Sequence, residues 1–186
     1  MNRWKEFLNS SIRDTARIEQ LRSWMGRMLS GLQPEKVLFL VGPGQSGKSV
    51  LLNLLGRLVG RDYWVPYPTG LSLRAFLDIT RDKRLLVFSE DFAREIETHG
   101  PWIKMFLGGE EFFGIGAFEE PEGRVPNFAL AGADNSSPFI KDISISSRIL
   151  TIEMFKPKAC DPNLLDDLTM EAQSIKAWGR GEIEWT

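Results

Sequence analysis

The sequence predicts an α/β fold, a central and mainly parallel sheet flanked by helices, with a nucleotide held at one edge of that sheet. Three observations carry this reading. Short apolar runs alternate with stretches patterned as helices, the order that a parallel sheet with crossover helices requires. The second and third runs end in polar residues, and in open parallel sheets the ligand lies beyond the carboxyl ends of the strands. The first run leads into Gly42-Pro43-Gly44-Gln45-Ser46-Gly47-Lys48-Ser49, a complete G-x-x-x-x-G-K-[ST] phosphate loop.

Taken in order, residues 1–32 read as a helical segment. Ile18, Leu21, Trp24, Met25, Met28 and Leu29 recur at spacings of three and four, as one buried helical face requires. Gly31 and Pro34 punctuate the chain before Val37 to Val41, a continuous apolar run suited to a central buried strand. A helix is expected from Lys48 to Val59. Leu85 to Phe88 is the second run and ends in Ser89-Glu90-Asp91; Phe128 to Ala133 is the third and ends in Asp134-Asn135. Between them, Gly108 to Pro126 carries turn signals and acidic residues and is expected to form a hairpin or surface excursion. Ile149 to Phe155 reads as a fourth strand and Pro162 to Trp178 as a closing helix. The expected organisation is a helical segment over 1–32, an ATPase core over 33–158 and a helical appendage over 159–186.

Each residue type in the loop has a chemical reason. Glycines let backbone N–H groups wrap phosphates, and the helix that follows adds the positive end of its dipole. Lys48 is expected to reach the β- and γ-phosphates of ATP, and the Ser49 hydroxyl to hold Mg²⁺. Glu90 and Asp91 are the expected carboxylates, one on the metal and the other polarising the attacking water. Glu90 is assigned to the metal and Asp91 to the water, with the reverse left open. Asn135 is a candidate for the γ-phosphate or the water. Arg148 suits the charge on a transferring phosphoryl group, a role often filled by a neighbouring subunit.

Composition narrows the classes. With 186 residues, 42% of them hydrophobic, the chain fills one core. Lys and Arg number 23 against 25 Asp and Glu, so no global positive field announces nucleic-acid binding and any such contact must be local. Cys160 is the only cysteine, which excludes an internal disulfide framework; a buried, inert thiol is expected. His99 is the only histidine and is expected in a loop. No run reaches the ~18 apolar residues that a membrane span needs, and the first residues do not read as a signal peptide, so a cytoplasmic protein without membrane contact is expected.

The order and spacing of these motifs resemble superfamily 3 helicases, particularly the helicase half of phage and plasmid primase-helicases of the poxvirus type. Trp102 to Glu110, with Lys104 before a Gly108-Gly109-Glu110 turn, resembles that family's B-prime motif. Phe118-Glu119-Glu120-Pro121 and Pro126-Asn127-Phe128 are similar to the marks that follow it. Asn135-Ser136-Ser137-Pro138 is similar to motif C, and Ser147-Arg148 before an apolar run to the arginine-finger segment. The resemblance implies an AAA+-like P-loop NTPase fold and a ring homo-hexamer with Mg-ATP between subunits. It implies Asn135 as sensor, Arg148 acting on the next subunit's nucleotide, and movement along single-stranded DNA, rather than RNA, through hairpins lining the pore. The expected function is the ATP-dependent helicase motor of a viral, phage or plasmid replication protein, with a primase or origin-binding partner.

The sequence departs from that family where it would grip DNA. Glu111-Phe112-Phe113-Gly114-Ile115-Gly116-Ala117 and Glu119 stand where arginines and lysines are usual. Phosphate neutralisation supplies most non-specific affinity, so an acidic hairpin binds DNA weakly at physiological salt. Lys104, Arg124 and Lys141 remain candidate backbone contacts, and Phe112 or Phe113 candidate stacking platforms. A nucleotide-binding ATPase with little DNA handling and a viral RNA-replication ATPase are therefore the alternatives. A small-molecule kinase would need an arginine-rich lid, which the sequence lacks.

Overall fold

Val37–Val41 (β1) is buried along its whole length, and its alternation explains why. Leu38 and Leu40 point into one apolar cluster while Val37, Phe39 and Val41 point into another, so the strand is covered on both faces, as a central parallel strand must be. The structure is a computed structural model and describes residues 2–88, 92–114, 122–137, 140–158 and 160–184. Around β1 lie Trp64–Pro66 (β2), Leu85–Val87 (β3), Ala129–Asp134 (β6) and Ile149–Glu153 (β7) in one sheet of order β2-β3-β6-β1-β7. Every pairing within it is parallel. The carboxyl ends therefore share one edge, where Val41 stands beside Asp134 on one side and Glu153 on the other.

One face of the sheet is covered by Asn2–Ser11 (α1), Thr15–Leu29 (α2), Lys48–Val59 (α3), Leu164–Met170 (α8) and Ala172–Gly179 (α9). The other carries Leu73–Ile79 (α4), Phe92–Thr98 (α5), Gly100–Gly108 (α6) and Ile143–Ser146 (α7). Ile18, Leu21, Trp24, Met25 and Met28 are the buried face of α2, as their spacing predicts; Leu29 is half-buried. The first and last helices meet: the Trp4 and Trp178 rings pack edge-on at 5.5 Å, and α2 lies against α9. Phe112–Gly114 (β4) and Glu122–Arg124 (β5) form the expected antiparallel hairpin, with Phe112 directly opposite Arg124.

Two expectations need correction, and one element adds to them. The closing helix is two helices, because Glu171 turns its carboxylate to the start of α1, accepting from the N–H groups of Arg3 and Trp4 at 3.3 and 3.1 Å. That contact satisfies donors orphaned at the helix start. The fourth strand stops at Glu153, after which the chain crosses the phosphate-loop edge, Met154 N–H donating to Val41 O at 2.6 Å. The edge strand β2 was not expected; three residues ending in proline leave little pattern, and an edge position is where a strand proline fits.

Candidate nucleotide site

The phosphate loop joins β1 to α3 at the carboxyl edge, and its shape follows from two glycines and one strained residue. A Cβ on Gly42 would stand 2.0 Å from Met154 O, so only glycine lets the loop pass under the chain leaving β7. Gly47 takes φ +93° and abuts the Phe7 ring, where a Cβ would come within 2.7 Å of Cε2. Gln45 adopts φ +65°, left-handed backbone that costs a non-glycine about 1 kcal/mol and that occurs where a loop must turn its N–H groups inward. Gly44 has open space around it, so its own chain does not demand glycine there.

Lys48, at the first position of α3, folds its ammonium back into the loop. Nζ donates to Gly42 O at 2.5 Å, to Pro43 O at 2.9 Å and to Asn135 Oδ1 at 3.2 Å. Burial holds this ammonium below the ordinary lysine value, an effect that Asp134 nearby partly offsets. The strand ends thus bring together two predicted residues 87 positions apart, Lys48 and Asn135. Asn135 is exposed at the end of β6, anchored by its N–H to Asp134 Oδ1 at 2.5 Å. Neutral carbonyls are weaker acceptors for an ammonium than phosphate oxygens, so the loop is chemically suited to exchange one for the other.

Ser49 is exposed one residue further on. Its carbonyl is taken by Asn53 Nδ2 at 2.8 Å, while no bond from its hydroxyl occurs among the described residues. Glu90 and Asp91 lie outside the described residues; the strand leading to them ends beside β6, Phe88 N–H donating to Ala131 O at 2.8 Å. Among the described residues no group of three or more His, Cys, Asp or Glu could hold a metal.

Two clefts flank the loop. One, about 470 Å³, is walled by Phe7, Ser11, Gln45, Val50, Cys160 and Leu164 among others. Ser11 Oγ is buried there without a hydrogen-bond partner among the described residues, and Arg3, Glu6, Lys158 and Asp161 stand among otherwise mostly apolar walls. The other lies between Gly42, Pro43, Asn135 and Glu153, with Arg13 and Arg17 opposite. Sequence reasoning missed the first cleft: its walls come from positions as far apart as Phe7 and Leu164, and nothing in their spacing connects them. Cys160, expected to be buried, is exposed at its rim with Sγ 3.9 Å from Gln45 Oε1.

Arg148 is not in this site. Its carbonyl accepts from Val37 N–H at 2.9 Å, which places it at the amino end of β1 and β7. The five residues Ile149–Glu153 separate it from the loop's edge, about 16 Å of strand. Its guanidinium donates to Lys104 O at 3.0 Å, and no carboxylate among the described residues pairs with it. Lys104 is half-buried and held by Asp142, Nζ to Oδ2 at 2.6 Å. The side chains of Phe112, Phe113 and Arg124 lie outside the described part of the hairpin. His99, expected in a loop, is the one residue between α5 and α6, its ring packed near those of Tyr67 and Trp102. Its Nδ1 is 3.1 Å from Glu95 Oε2, close enough for an ion pair but without hydrogen-bond geometry.

No family model and no curated protein matches the sequence. Solved structures do match the fold. The apo structure of the NrS-1 C-terminal region superposes with a TM-score of 0.69 at 13% identity, covering 100% of this chain and 46% of that one. A second apo structure of that region gives 0.64 at 12% identity, over 97% and 46% of the two chains. The JCV helicase, bound to a thiazolopyridine-containing acetamide, gives 0.50 at 14% identity over 98% and 68%. The chain spans about half the length of the NrS-1 region it matches. At these identities the likeness is one of fold alone: the chain shares the α/β architecture of these structures, with its phosphate loop after the central strand. No helix among the described residues is long and apolar enough to cross a membrane.

Proposed function

We propose that this chain is the ATPase motor of a superfamily 3 type replication helicase from a virus, phage or plasmid, turning over Mg-ATP between subunits of a hexameric ring and moving single-stranded DNA. The observation that carries the reading is the division of the site. Lys48, Ser49 and Asn135 gather at one edge of the sheet, while Arg148, the predicted finger, stands at the opposite edge. One chain cannot bring the two together, whereas a head-to-tail ring joins two different surfaces of neighbouring copies, as a site shared between these two edges requires.

In this reading the loop N–H groups and Lys48 bind the β- and γ-phosphates, releasing Lys48 from Gly42 and Pro43. Asn135 keeps its place beside Lys48 and orients the γ-phosphate. The orphaned Ser11 hydroxyl and the apolar cleft take the nucleoside. Mg²⁺, when bound, would neutralise phosphate charge, with Ser49 and one of Glu90 and Asp91 as its protein ligands; the other carboxylate takes the proton of the attacking water. Arg148 of one copy stabilises the charge developing on its neighbour's nucleotide. The test is ATP hydrolysis with and without single-stranded DNA, on wild type and Lys48→Ala. Hydrolysis that DNA stimulates, and that the variant loses, supports the motor; no hydrolysis at high protein concentration with DNA present sinks it.

One observation favours a second reading. Lys104, a candidate DNA contact, is committed to Asp142, and the hairpin is acidic. An ATPase with little nucleic-acid handling would hydrolyse ATP at a rate indifferent to DNA or RNA.

A further inference from the structure

Helix α6 holds the segment that presents Arg148 along a single face. Gly100, Lys104 and Gly108 recur every four residues and so lie one above another. All three meet the segment from Asp142 to Arg148. At Gly100 the helix backbone comes so close to Ile145 that a Cβ would stand 2.6 Å from its Cδ1. At Lys104 the ammonium pairs with Asp142, and the carbonyl of the same residue accepts from the Arg148 guanidinium at 3.0 Å. At Gly108 the place of a Cβ is 3.8 Å from Arg148 Nη1. Asp142 is itself the cap of α7, accepting from Ser144 N–H at 2.9 Å and from its hydroxyl at 2.6 Å. The other end of α6 closes on Gly109 in left-handed backbone and opens into the β4–β5 hairpin.

From this geometry we infer that Lys104 and Asp142 are positioning residues for Arg148, forming a clamp through which the hairpin on α6 sets the aim of the arginine. The inference rests on the proposed function, in which Arg148 serves a neighbour's nucleotide. Lys104 acts twice, through its carbonyl on the guanidinium and through its ammonium on the turn that leads there. A shift of α6 when the hairpin is displaced carries both contacts with it. Phosphoryl transfer depends steeply on placement, since about 1 Å of error costs roughly a hundredfold in rate. Lys104 is accordingly not a nucleic-acid contact in this state: it reports hairpin position to the catalytic interface.

The experiment compares Lys104→Met, Asp142→Asn and Arg148→Ala in the full chain. Asparagine caps a helix as well as aspartate does, so Asp142→Asn removes the ion pair and keeps α7. Both clamp variants are expected to bind ATP with unchanged Kd and to melt cooperatively with only the small loss that a part-exposed ion pair carries, to lower kcat by about tenfold or more at unchanged KM, and to lose most of the stimulation that single-stranded DNA gives. Lys104→Arg, which preserves the charge, is expected to recover most of the rate. If both clamp variants keep wild-type kcat and DNA stimulation while Arg148→Ala loses turnover, the clamp is overturned and the finger stands. If Arg148→Ala itself hydrolyses ATP normally, the reading beneath the clamp fails instead.

Discussion

At the scale of single residues, the phosphate loop sorts its own members by what each can lose. Lys48 has its donors on two loop carbonyls and Asn135. Hydrogen bonds to charged groups contribute about 1.5–3 kcal/mol each, so removing the ammonium that would hold two phosphates weakens nucleotide binding by roughly a hundredfold or more. Titration of a fluorescent ATP analogue against Lys48→Ala checks this, and a Kd within a few-fold of wild type would contradict it. Gly42 and Gly44 look alike in the motif but not in the structure. Gly42→Ala must push the loop off Met154 O and is expected to cost about 1–3 kcal/mol, as overpacking does. Gly44→Ala meets nothing within 4 Å and is expected to melt like wild type. Thermal melts of the pair decide the matter; equal losses would mean that backbone freedom, not close approach, selects both glycines. Which glycine is sterically required was illegible in the sequence, because the obstacle is a carbonyl 112 residues away.

Among elements, the legible ones are those whose pattern is local. The apolar run of β1, the spacing of α2 and the strand-loop-helix context of the phosphate motif all emerge as read. Asp14 starts α2, accepting from the N–H groups of Ala16 and Arg17 at 2.9 and 3.3 Å. Asp14→Ala is expected to cost about 1 kcal/mol in a denaturant melt; no loss would show that α2 is held by its buried face alone. Illegible were the break between α8 and α9, set by Glu171 reaching α1, and the commitment of Lys104 to Asp142 across 38 residues. That last pair makes a pH prediction. The Lys104 ammonium, then the Ser144 hydroxyl, hold the Asp142 carboxyl well below the ordinary aspartate range. A carboxyl depressed by folding contributes stability that is present above its unfolded pKa and is lost only as pH falls through the depressed value. The clamp should therefore persist through pH 4. A carboxyl NMR titration finding Asp142 at the ordinary aspartate value would contradict it.

For the whole molecule, one sheet edge carries Lys48 and Asn135 and the other carries Arg148, with about 16 Å of strand between. Sequence order already listed these residues, but their placement on opposite edges follows from parallel register and needed the topology β2-β3-β6-β1-β7. On the proposed function, a site so divided is complete only between copies. Arg148→Ala is expected to bind ATP normally and lose turnover by about a thousandfold, the effect of removing such an arginine elsewhere. Lys48→Ala fails for the opposite reason, lacking its own phosphate contact while keeping an arginine to lend. The most direct test is the steady-state ATPase rate of an equimolar mixture of Lys48→Ala and Arg148→Ala subunits with single-stranded DNA. With random mixing, roughly one interface in four joins an intact phosphate loop to an intact arginine, so the mixture is predicted to hydrolyse ATP well above either variant alone. A mixture no more active than the mean of the two would contradict a catalytic site shared between subunits.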